Sequence, residues 1–107
     1  MDPLGPNTKM IERALDLAAT RHRVIAANIA NVETPGYKAK VALFDEELDA
    51  AVVREREGVN PRENGNTVVM ELEMADMRKN ELVYRVFIQS LIQKTRIMRA
   101  AISGGGG

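Results

Sequence analysis

Two apolar ribbons, one towards each end of the chain, constrain its fold more than any other feature. In the first, Ile11, Leu15, Ala18, His22, Ile25, Ile29 and Val32 follow alternating spacings of four and three. That rhythm is the seam of a coiled-coil helix, with one polar interruption at His22. Ala14, Ala19, Ala26, Ala27 and Ala30 flank it, so a neighbouring helix can approach closely. The second ribbon runs through Met70, Met74, Met77, Glu81, Tyr84, Ile88, Leu91, Thr95, Met98 and Ile102 in the same alternation. Val83, Val86, Phe87, Ile92 and Ile97 widen it.

These ribbons predict helices over 8–32 and 68–102. Asn7 or Thr8 is placed to cap the first, after a leader rich in Pro and Gly. The second spans roughly 50 Å at 1.5 Å per residue. Between them, Thr34-Pro35-Gly36-Tyr37 is a stop. Proline disfavours the α conformation in the residue before it, and Pro-Gly suits the centre of a type II turn.

The chain therefore goes out along one helix and returns along the other. The fold class predicted is all-α: two long amphipathic terminal helices packed antiparallel in coiled-coil fashion, around a short irregular middle segment at 33–67. Lys38 to Leu43 reads as extended. Phe44, Leu48 and Val52 recur every four residues, with Asp45, Glu46 and Glu47 near the start and Arg54 and Arg56 near the end. That order complements a helix dipole and predicts one small helix there. Gly58 to Asn66 is dense in turn formers and reads as a loop. A flexible tail is expected over 103–107. The 107 residues make one domain. Aligning Val32 with Met70 sets His22 beside Glu81, so the two polar interruptions of the seams would meet.

Composition narrows the function. Fifteen basic and fifteen acidic residues cancel, leaving no global field for nucleic acid or an acidic membrane surface. Arg54-Glu55-Arg56-Glu57 alternates in sign, as a solvated face does. Without cysteine there are neither disulfides nor thiolate metal sites. The single histidine, His22, has no orienting carboxylate, nucleophile or companion ligands at useful spacing. Glu71 and Glu73 are acids expected near a helix N-terminus. No catalytic, metal or cofactor-binding residues are assigned, and no cofactor, small-molecule substrate or nucleic-acid partner is expected. No apolar run approaches the roughly 20 residues of a membrane-spanning helix. The N-terminus has neither the basic nor the apolar region of a secretory signal.

The informative string is Ala27-Asn28-Ile29-Ala30-Asn31-Val32-Glu33-Thr34-Pro35-Gly36-Tyr37. Asn28 and Asn31 share one helix face, and their amides can donate and accept across a helix interface or onto the turn. Asn28, Ile29, Ala30, Asn31, Thr34, Pro35, Gly36 and Tyr37 closely resemble the N-terminal signature of bacterial flagellar rod and hook proteins. In the second half, Gly65-Asn66-Thr67-Val68 with Glu71, Glu73 and Met74, then Asn80-Glu81-Leu82-Val83-Tyr84 and the Ala101-Ile102 ending, resemble the proximal-rod members of that family. The resemblance covers about residues 10–40 and 64–103. The middle is shorter than is usual in the family, and Val69 replaces a common acid.

This resemblance implies a non-enzymatic subunit of the rod that crosses the periplasm as the flagellar drive shaft. It implies export by the flagellar type III machinery without a cleaved signal. The implied partners are copies of itself, other rod subunits, and rod-to-ring junction proteins at the inner-membrane base. The residues 28–31 and 34–37 are then the assembly motif. Ile11, Leu15, Ala18, Ile25, Val32, Met74, Met77, Tyr84, Ile88, Leu91 and Met98 are the helix-seam residues. Two alternatives remain: another axial subunit from the distal rod or hook, whose members usually insert larger domains, and a soluble helical-hairpin adaptor or export chaperone.

Overall fold

A computed structural model describes residues 7–104. The order of elements is α1 (Thr8–Ala30), β1 (Lys40–Asp45), β2 (Ala50–Glu55) and α2 (Met70–Ile102). The leader before Asn7 and residues 105–107 of the expected tail lie outside the described residues.

The all-α expectation is overturned, because the middle segment is an antiparallel β-hairpin in place of a small helix. Lys40 pairs with Glu55 and Asp45 with Ala50. The physical reason is local. Val41-Ala42-Leu43-Phe44 and Ala50-Ala51-Val52-Val53 are two short apolar runs, with the β-branched content that strands favour. The polar stretch between them supplies the turn. The Asp45 carboxylate accepts from the Leu48 backbone N–H at 3.1 Å, and Asp49 adopts φ +52°, a conformation that Asp tolerates better than most residues. The spacing of Phe44, Leu48 and Val52 was a coincidence that set Leu48 at the turn, where it is 67% exposed.

The two helices run antiparallel, as two cross-contacts fix. Asn28 meets Glu73, and Asn80 meets Ala18. Continuing that register sets Thr8 abreast of roughly residue 91, so the last ten or so residues of α2 outrun α1 by about 15 Å. The hairpin lies back along α1. Its base is held at Asn28 through Lys40, its middle at Arg21 through the Ala42 carbonyl, and its tip by a two-bond pairing of Arg13 with Asp49.

The result is a rod, not a ball. The principal extents are 66 × 27 × 17 Å and the radius of gyration is 18.5 Å, against about 13 Å for a compact chain of this length. The core is correspondingly thin. Ile11, Ala18, Ile25, Ala39, Ala42 and Val68 are its buried apolar residues, matched by the buried polar side chains of Thr8, Asn28, Asn66, Thr67, Glu73 and Asn80. No described helix is long and apolar enough to cross a membrane.

Candidate functional site

The signature residues fold into a polar clasp that joins the end of α1 to the start of α2. Asn28 is its centre and has no exposed surface. Its amide nitrogen donates to the Lys40 carbonyl at 2.8 Å and to the Glu73 Oε1 at 3.0 Å. Its amide oxygen accepts from the Lys40 backbone N–H at 2.9 Å and, more weakly, from the Tyr37 hydroxyl at 3.4 Å. One side chain thus satisfies strand backbone on one side and a helix carboxylate on the other. Only an amide carries donors and acceptor in that arrangement.

Asn31 acts locally. Its amide nitrogen caps the Ala27 carbonyl at 2.8 Å, and its oxygen accepts from the Thr34 hydroxyl at 3.0 Å. Asn66 closes the clasp from the other side and is fully buried. It donates to the carbonyls of Asn31 and Thr34 at 2.9 and 2.8 Å, and accepts from the Val68 N–H at 2.7 Å. Gly36 N–H donates to the Asn64 carbonyl, Thr67 N–H to the Tyr37 carbonyl, and Ala39 N–H to the Thr67 hydroxyl. The two turns therefore pair almost as strands would. Gly36 and Gly65 both sit at positive φ, +75° and +83°, and a Cβ on Gly65 would lie 3.4 Å from the Gly36 Cα. Glycine supplies both the left-handed conformation and the close approach.

Arg56 braces the clasp at the hairpin base. Its guanidinium donates to Asp76 at 2.7 Å and stands 3.7 Å from Glu73. Glu73 is fully buried, and its Oε2 has no protein partner. Burial pushes this carboxyl above the ordinary carboxylate range; the Asn28 amide and Arg56 pull it back, and Asp76 adds to the rise.

Within the assembly motif, Asn28 is buried, Ile29, Asn31 and Tyr37 are half-buried, and Ala30, Thr34, Pro35 and Gly36 are exposed. On the α1 seam, Ile11, Ala18 and Ile25 are buried, with Leu15 and Val32 half-buried. On α2, Met77, Ile88, Leu91 and Met98 are half-buried, while Met74 and Tyr84 are exposed in the single chain. The turns of α2 nearest α1 are carried by Glu73 and Asn80, one residue before the expected Met74 and Glu81. Glu81 and His22 are both exposed and border one open groove without a hydrogen bond or ion pair to each other. The polar meeting across the helices is made by Asn28 with Glu73 and by Asn80, which donates to the Ala18 carbonyl at 2.8 Å. Reading apolar spacing alone passed over Asn66, Glu73 and Asn80. Their mutual spacing of seven was the available signal.

Comparison with known proteins bears on this arrangement. A model of the family described as "Flagella basal body rod protein" matches residues 11–38, which take in the Asn28 to Tyr37 string. The chain is 30% identical to the flagellar basal body rod protein FlgB of Salmonella typhimurium, over 98% of this chain and 99% of the relative. It is 27% identical to FlgB of Bacillus subtilis, over 89% and 92%. It is also 30% identical to the rod protein FlgC of Agrobacterium fabrum, over 94% of each. The Salmonella alignment runs over 136 positions, so that relative carries residues this shorter chain lacks.

Proposed function

Because the chain belongs to the flagellar basal body rod protein family, in its FlgB branch, and is a structural proximal-rod subunit, we propose that it builds the rod through its paired terminal helices. The observation that carries this reading is the contrast between the two sides of α2. One side is clamped to α1 by the clasp. The other leaves Leu82 63% and Ile97 60% exposed, with Val86 between them. A helix pair fixed in register by polar contacts presents that apolar face as a rigid surface, and burial against neighbouring helices gains about 25 cal/mol per Å².

In this reading the neighbours are further copies of the chain, other rod subunits, and ring-junction proteins at the inner-membrane base. The subunit works by packing and stiffness, without catalysis. Its place is the periplasmic part of the basal body, reached through the flagellar export channel without a cleaved signal. Basal bodies purified from cells carrying a labelled subunit test the proposal. Label at the base of the rod is the expected result. Normal basal bodies with no label in the rod would overturn it.

A further inference from the structure

Between the hairpin base, α1 and α2 lies a groove of about 220 Å³. Its walls are apolar at Val24, Val41 and Val83, and Arg21, Lys40 and Lys79 stand around them. Asp76, the acid at this groove, already holds Arg56. Two buried polar atoms here, the Arg56 Nε and the Asn80 Oδ1, have no protein partner. The space is smaller than the roughly 300–1,000 Å³ of small-molecule sites. It has the size for one or two side chains, and its charge asks for acids beside an apolar residue.

The same chain carries such a group at the hairpin tip. Glu46 and Glu47 are exposed and join no ion pair among the described residues, and Leu48 beside them is 67% exposed. The tip is held in shape by the Asp45 carboxylate on the Leu48 N–H and by the Arg13–Asp49 pair. Within one chain the tip lies near Arg13 and the groove near Arg21 to Ile25, so a tip does not fill its own groove.

We infer that the hairpin tip of one copy docks in the groove of the next, Leu48 entering between Val24, Val41 and Val83 while Glu46 and Glu47 face Arg21, Lys40 and Lys79. Tip and groove are different surfaces, so the contact is head-to-tail and leaves a free tip and a free groove at the ends, as an extensible assembly requires. The inference rests on the rod-subunit reading and gives its self-contact a location.

The chain has no cysteine, so single introduced thiols report cleanly. Full-length Leu48→Cys and Val83→Cys chains, one of them tagged, are mixed and oxidised. The expected product is the mixed tip-to-groove dimer, in excess over either like-with-like dimer. Adding Glu46→Lys and Glu47→Lys to the tip chain lowers its yield about tenfold through like-charge juxtaposition. Adding Lys40→Glu and Lys79→Glu to the other chain restores it. Like-with-like dimers in equal yield, linkage of the tip only to a different rod subunit, or failure of the reversed pair to restore linkage would each overturn the contact. Normal incorporation of wild-type subunit without any tip-to-groove link sinks this contact alone, whereas absence of the subunit from basal bodies sinks the rod assignment.

Discussion

The two ends of the helix pair are held by opposite kinds of chemistry. At the clasp end, Asn28, Asn66 and Asn31 tie two turns and two helices together through directional bonds, around the small buried side chains of Ala39 and Val68. At the far end α2 runs on past α1 with Ile97 and Ile102 exposed. Hydrogen bonds with fixed partners specify one geometry within a chain, because leaving any of them unmade is expensive. Apolar surface is indifferent to partner identity and suits contacts completed by another subunit. Internal register belongs to the clasp, while the overrun of α2 is left with apolar surface that a neighbour could cover.

Substitutions at the two ends break or sharpen this contrast. The largest loss of folding stability is expected for Asn28→Ala, which unpairs the Lys40 backbone and leaves Glu73 buried without its donor. The expected penalty is on the order of 3 kcal/mol or more, read from the denaturant midpoint; a loss as small as that of a surface substitution would mean the clasp does not set the register. Gly36→Val comes next, at about 1–2 kcal/mol for a side chain forced into the left-handed region. Gly36→Ala should show most of this loss, since the open space beside Gly36 removes any steric contribution.

Glu73→Gln acts on pH dependence more than on the midpoint. Burial raises the carboxyl in the folded chain above its unfolded value. The folded state therefore binds the proton more readily, and this contribution is fully present below the unfolded value. It is lost as pH climbs from the ordinary carboxylate range through the raised one. Glu73→Gln should flatten that decline in a pH series of melts, and an unchanged slope would show that another group is responsible. The smallest folding effect belongs to Ile97→Asp, within about 0.5 kcal/mol for an exposed position. Yet this variant should fail to enter basal bodies. A large loss of monomer stability there would erase the contrast between the ends.

How much of this was legible beforehand differs by element. Both helices announce themselves through long four-three alternations, and α1 and α2 end within two residues of the positions the pattern gives. The hairpin was hidden because Phe44, Leu48 and Val52 mimic a helical stripe in a segment too short for periodicity to arbitrate. Of the acids 45–47, read as a helix start, Asp45 ends β1 and Glu46 and Glu47 are turn residues. The clasp was half visible. The asparagine string stood out, and Asn66 and Glu73 were noted within the second resemblance, but nothing marked them as its buried partners, since hydropathy scores a buried carboxylate as surface. Glu73 and Asn80 turn α2 by about one residue from the face that apolar spacing favours, and only the three-dimensional neighbours reveal that.

The unequal helices carry a last consequence. A shaft laid from pieces that all stop at one level has a seam across it, and twisting opens such a seam. Here α2 has 33 residues against 23 in α1, so each piece is a stepped block. If such blocks stack, the long limb of one would bridge the joint below its neighbour, as bricks are bonded in a wall, and would leave torsion no flat plane along which to shear.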